Sequence, residues 1–133
     1  MAKFNVVGFD SIEKEFAKRP KVLSDAAPKM LKAGAKVLVQ AQKQEAETLK
    51  IRDTGQFIES IKATPIKNKD GVYSVDVYPQ GVDDKGVRNA TKGFVAEYGT
   101  SRRPARPWMS KANENSADDV HKAMRDVWEA ENK

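Results

Sequence analysis

The sequence predicts an α+β domain: a small antiparallel sheet built around a β-hairpin, packed by a long N-terminal helix and a C-terminal helix. Three observations predict it. From about Asp25 to Leu49, Ala26, Met30, Ala33, Val37 and Ala41 recur at three- and four-residue steps, the period of an amphipathic helix. Asn68-Lys69-Asp70-Gly71 is a hairpin signal, followed by VYSVDVYP, in which Tyr73, Val75 and Val77 alternate with Val72, Ser74, Asp76 and Tyr78. A second helical face runs through Met109, Ala112, Ser116, Val120, Ala123, Met124 and Val127.

The chain has 133 residues, enough for one modest core, so residues 1–133 form a single domain. Phe4 to Phe9 reads as an edge strand. Asp10 or Ser11 then caps a brief helix with Ile12 and Phe16 one turn apart, and Pro20 stops it. In the long helix Pro28 is expected in the first turn, where its missing N–H matters least, and Gly34 beside the apolar stripe permits close approach of another element. Asp53 or Thr54 is the expected cap of a short turn carrying Phe57, Ile58 and Ile61. Lys62 to Lys67 enters the hairpin, and the return strand has one apolar face for a covering helix. Residues 79–91, with two glycines and a proline, read as an exposed loop that orders on assembly. A short helix from about Thr91 to Tyr98 is expected to place Phe94 and Val95 near the core. Pro107 opens the last helix, and Trp128 is expected to be buried.

There is no cysteine, which removes disulfides, thiolate metal sites and a thiol nucleophile. No window approaches the roughly 18 apolar residues that span a bilayer, so the expectation is a soluble chain made in the cytoplasm, with no membrane partner. His121 is the sole imidazole, leaving few candidates for a nucleophilic triad. The pairs Asp83-Asp84 and Asp118-Asp119 are adjacent residues that diverge in direction, a poor start for a metal site. GVDDKG lacks the ending and the strand-to-helix setting of a phosphate loop. A small metal-independent ribonuclease would have Arg102, Arg103, Arg106 and His121 around a phosphate, yet nothing brings an acid and a base together. No enzyme and no cofactor are expected.

The chemistry concentrates in Phe94 to Met109, FVAEYGTSRRPARPWM. Gly99 permits a tight reversal, Thr100 and Ser101 bond the backbone there, and Pro104 and Pro107 restrict the path. The chain carries a net charge of +5, unevenly spread. Residues 99–111 hold four cations and no acid, whereas residues 112–133 hold three cations and six acids. That asymmetry suits contact between copies, and also weak nucleic-acid binding. Two readings of the loop stay open: a displayed arginine hook, or a helix stop followed by a helix start with solvated arginines. A salt bridge from Arg106 to Glu97 across the Gly99 turn would give the hook a fixed shape.

Glu97-Tyr98-Gly99-Thr100, followed by a proline, an Arg-Pro pair and an aromatic, resembles the signature of small siphophage virion proteins: the head–tail joining, neck or tail-completion family, whose members include minor tail components. Thr54 to Ile61, TGQFIESI, resembles that family's T-G-x-L-x-x-S-I segment, with Phe57 in place of leucine. The likeness spans roughly residues 4–130. It implies a structural virion protein at the neck or tail end that forms a ring joining head connector and tail. The implied partners are copies of itself, a head connector or stopper, a tail terminator or tail tube protein, and packaged DNA. The residues it marks for partner binding are Glu97, Tyr98, Gly99, Thr100, Arg102, Arg103, Arg106, Pro107 and Trp108. A small basic nucleic-acid-binding protein is the alternative.

Overall fold

The computed structural model describes residues 2–4, 18–51, 55–70 and 72–132. In chain order its elements are β1 (Ala2–Phe4), α1 (Pro20–Thr48), α2 (Gly55–Glu59), β2 (Ile61–Ala63), β3 (Lys67–Lys69), β4 (Val72–Pro79), α3 (Asn89–Tyr98) and α4 (Trp108–Glu131). The expected α+β architecture is present. The expected brief helix from Asp10 or Ser11, residues 5–9 of the expected first strand, and the cap at Asp53 or Thr54 lie outside the described residues.

β4 is the central strand. It pairs antiparallel with β1 on one edge and with β2 and β3 on the other. Lys69 pairs with Val72, so the chain reverses between them, and Asp70 takes a left-handed φ of 54°. Ala63 pairs with Val77 and Lys67 with Ser74, so residues 64–66 stand opposite residues 75–76. The extra residue makes a β-bulge between β2 and β3. Thr64 fastens it, its N–H donating to the Asp76 carbonyl (2.8 Å) and its Oγ1 accepting the Asp76 N–H (3.0 Å). Pro65, lacking a donor, sits where no ladder bond is required. Lys62, Lys67 and Lys69 line this exposed edge and discourage pairing with a foreign strand.

α1 and α4 run antiparallel. Arg19 donates to Asn132, Lys29 pairs with Glu131, and Gln42 reaches both Asn113 and the Val77 carbonyl. Gly34 permits this approach, because a Cβ there would lie 2.9 Å from Met124 Cγ. Met30, Leu31 and Leu38 of α1, Ile61, Val75 and Val77 of the sheet, and Trp108, Val120, Met124 and Trp128 of α4 form the core. Trp128 is fully buried, as expected.

α1 departs from the sequence reading in three ways. It begins at Pro20, which fills the first helical position, so this residue opens the long helix. Pro28 therefore lies in the helix interior, leaving the Ser24 carbonyl without its usual donor at an exposed position. The buried face is also displaced and broader: Ala26, Ala27, Met30, Leu31, Gly34, Ala35, Leu38, Gln42 and Ala46 are covered, while Ala33, Val37 and Ala41 are half-exposed. A helix held between a sheet and a second helix is covered on two sides, whereas the expected stripe was a single row.

The C-terminus of α1 closes as a Schellman motif. The Ile51 N–H donates to the Ala46 carbonyl (2.8 Å), the Lys50 N–H donates to Glu47 (3.1 Å), and Ile51 packs into the core. Lys50, with φ of 55°, occupies the left-handed position that glycine usually holds.

The segment 79–91 is ordered by its own chain, which corrects the expectation that it orders only on assembly. Val82 bridges Arg88, and Asp83 Oδ1 accepts the N–H groups of Lys85 and Val87, both at 2.9 Å. Lys92 pairs with the same carboxylate. The hydrogen bond from Lys92, then those from the backbone, lower the Asp83 pKa from 3.8 to about 2. Asn89, buried, donates its amide to the Gln80 carbonyl (2.9 Å) and fixes the loop's exit into α3.

Candidate partner-binding surface

α3 and the first turn of α4 are joined by residues 99–107, and both ends of this connection are tied down. Gly99 stops α3, its N–H donating to the Val95 carbonyl (2.8 Å), with φ of 76° and ψ of 179°. That conformation is almost closed to residues with a Cβ, and a Cβ would also stand 2.7 Å from the Ala105 nitrogen. Thr100 then folds the turn: its Oγ1 accepts the N–H groups of Arg102 (3.2 Å) and Arg103 (3.1 Å), and its own N–H donates to the Arg103 carbonyl (2.9 Å).

The return limb is pinned from three directions. The Arg106 N–H donates to the Ala96 carbonyl (2.7 Å), and its guanidinium donates to the carbonyls of Leu49 (3.3 Å) and Lys50 (3.1 Å). A cation thus meets the last carbonyls of α1, where the helix dipole favours positive charge. Trp108 is fully buried, its ring 5.7 Å from Phe57 in an edge-on arrangement, and its Nε1 donates to the Gly93 carbonyl (3.1 Å).

Glu97 supplies the cap of α4. Pro107 precedes the helix and has no side-chain donor or acceptor, so the first N–H groups need other partners. Glu97 Oε2 accepts the Met109 N–H (3.0 Å), and Oε1 accepts the Ser110 N–H (2.9 Å) and hydroxyl. The Trp108 N–H turns back to the Arg106 carbonyl (2.7 Å), an inverse γ-turn centred on Pro107 at φ −75° and ψ 66°.

The expected Glu97–Arg106 salt bridge is therefore absent, because each charge meets a helix end of opposite sign. The marked residues divide into two groups. Glu97, Gly99, Thr100, Arg106, Pro107 and Trp108 shape and anchor the hook. Tyr98, Arg102 and Arg103 are displayed, and neither guanidinium of the hook tip has a partner among the described residues.

The expectation that Phe94 and Val95 face the core is overturned. Phe94 is 61% exposed and Val95 43%, while Gly93, Ala96 and Glu97 are buried. α3 is turned so that the small Gly93 and Ala96 meet the neighbouring elements and its large side chains point outward. The rings of Phe94 and Tyr98 lie 4.6 Å apart, tilted by 50°. Their four-residue spacing was a readable signal of one shared helix face; which face lies inside was not readable from two aromatics alone.

The family "HK97-gp10_like: Bacteriophage HK97-gp10, putative tail-component" matches residues 10–99. The chain belongs to this family of phage tail components. The matched region covers α1, the sheet's β2–β4 and α3, and ends at Gly99, where the hook begins. No curated protein and no solved structure matches the chain. No described helix is long and apolar enough to cross a membrane.

Proposed function

We propose that this protein is a structural component of a tailed-phage virion that assembles as a ring at the neck or tail end and joins the head connector to the tail. Its action is geometric and involves no catalytic step. The observation that carries the reading is the hook: a loop whose limbs are fixed to α1, α3 and α4 holds Arg102 and Arg103 outward in one shape. A preorganised loop loses little conformational entropy when a partner docks, which suits an adaptor between preformed assemblies. The family match independently supports a tail component. Neighbouring copies, connector or stopper subunits, tail terminator or tube subunits, and packaged DNA are the proposed contacts.

Deletion of the gene, followed by electron microscopy of lysates, tests the reading. Capsids and tails accumulate unattached, or tails are defective at the head-proximal end, while DNA synthesis continues. Normally joined, infectious virions would refute it and favour nucleic-acid binding, which a salt-dependent DNA shift by the purified protein would then support.

A further inference from the structure

The outward face of α3 is apolar and its own chain leaves it open. Thr91, Phe94, Val95 and Tyr98 follow one another at helical steps, with Phe94 and Tyr98 61% and 68% exposed, and the exposed Val87 lies just before the helix. Arg88 lines the same groove as the two rings, and the hook carrying Arg102 and Arg103 begins directly after Tyr98. An aromatic knob flanked by cations is the composition of an interface centre.

A surface of complementary character lies elsewhere on the molecule. Between α1 and α4 is a shallow groove floored by Val37, Ala41 and Ala112, with Glu45 and Asp119 on its rim. Gln40, Gln44 and Asn115 complete its lining, and the buried Ser116 hydroxyl in the groove has no hydrogen-bond partner among the described residues. The two surfaces cannot meet within one chain. On α4, Met109, Ser110 and Asn113 face the knob, whereas Ala112, Ser116 and Asp119 face the groove, about 100° away around the helix.

We infer that Phe94 and Tyr98 of one copy seat in the α1–α4 groove of the next copy, with Arg102 and Arg103 facing Glu45 and Asp119. Small groove residues admit the rings, and the acids on the rim meet the cations around the knob. Because knob and groove are different surfaces, the contact is head-to-tail, the type that closes into a ring when its rotation permits. This names the contact between copies and rests on the ring assembly proposed above.

Sedimentation equilibrium of the purified chain, from micromolar to millimolar concentration, reads the association. Phe94→Ser with Tyr98→Ser is expected to weaken it by about 100-fold, the scale of an interface hot spot. Reversing one side, by Arg102→Glu with Arg103→Glu or by Glu45→Lys with Asp119→Lys, is expected to weaken it about 10-fold. Combining both reversals in one chain brings it back to within about 3-fold of the parent. The substituted positions are exposed, or half-exposed at Glu45, and the groove floor is untouched, so melting temperatures stay near that of the parent and separate contact from folding. A parent chain that stays monomeric at millimolar concentration, an aromatic variant that associates normally, or a combined variant as weak as either reversal would overturn the inference. The phage assay separates it from the functional reading. Loss of self-association with normally joined virions would overturn the joining role and leave the contact standing. Normal self-association of the aromatic variant beside a deletion that separates heads from tails would do the reverse.

Discussion

Glu97 accepts the backbone N–H of Ser110 at 2.9 Å, so the last turn of α3 caps the first turn of α4 across the arginine hook. The same carboxylate holds Met109, and it is buried at a point where two helix N–H donors and the dipole favour a negative charge. One side chain therefore fixes the hook's two ends at a set distance. Glu97→Ala removes the cap and leaves these donors without it, with an expected loss of about 1–3 kcal/mol. Glu97→Gln retains one acceptor oxygen and is expected to lose less. Denaturant unfolding of both variants checks the order, and equal stability of parent and Glu97→Ala would contradict the capping role.

The hook's arginines separate into two kinds. Arg102 and Arg103 are exposed, so their joint replacement by Ser is expected to change stability by less than about 0.5 kcal/mol while impairing assembly. Arg106 is half-buried and bonded to the end of α1, so Arg106→Ser is expected to cost about 1–2 kcal/mol. Thermal unfolding of the two variants measures the contrast. A large loss from the Arg102/Arg103 pair would assign those residues to the fold.

Asp83 gives the 79–91 loop a pH dependence. Its carboxyl titrates near 3.8 in the unfolded chain and at about 2 in the folded one, held down first by Lys92 and then by the backbone N–H groups. A lowered folded pKa stabilises the loop fully above about pH 4 and loses that stabilisation as pH falls toward 2. Amide exchange at Lys85 and Val87, whose N–H groups donate to this carboxylate, is expected to accelerate over that window. Asp83→Asn abolishes the acid dependence. Protection unchanged down to pH 2 in the parent would show that the carboxylate does not hold the loop.

Lys50 is the reverse case, a position where the sequence is less than optimal for its backbone. Its φ of 55° at the Schellman position favours glycine, and Lys50→Gly is expected to stabilise the fold by about 0.5–1 kcal/mol. The backbone carbonyl that Arg106 engages is retained. A denaturant midpoint that falls in this variant would show that the lysine side chain supports the turn.

Period and turn chemistry were legible because they are local. Asp70-Gly71 set the hairpin, the alternation in Val72–Pro79 set the buried face of β4, and the spacing from Ala112 to Met124 set the inner face of α4. Gly34 was readable as a close approach for the same reason: only a small residue on an apolar face permits it. What failed depended on partners distant in sequence. The pairing of Glu97 with Arg106 looked favourable along the chain, yet helix ends from residues 49–50 and 109–110 outcompete it. α3 was assigned the wrong inner face because its large residues were assumed to be core. The bulge at residues 64–66 has no sequence signature beyond Pro65, since it is defined by register against β4.

Gly99 offers the sharpest link between backbone and assembly. At φ 76° and ψ 179° it occupies a region essentially reserved for glycine, and an added Cβ would meet the Ala105 nitrogen at 2.7 Å and the Arg103 carbonyl oxygen at 2.9 Å. Neither neighbour is a flexible side chain that could swing aside. Gly99→Val must therefore rotate the turn or displace the return limb, which carries Arg102 and Arg103 away from their fixed position. The expected loss is about 2–4 kcal/mol, combining the conformational penalty with the clash. The buried anchors Trp108 and Glu97 belong to adjoining helices, so the domain core persists and the damage centres on the hook. In the phage, the variant is expected to reproduce the deletion in milder form, with fewer joined particles in electron micrographs and a reduced yield of infectious virions. Unfolding curves and particle counts identical to the parent would mean that the hook tolerates a different path, and that its fixed shape has no part in joining.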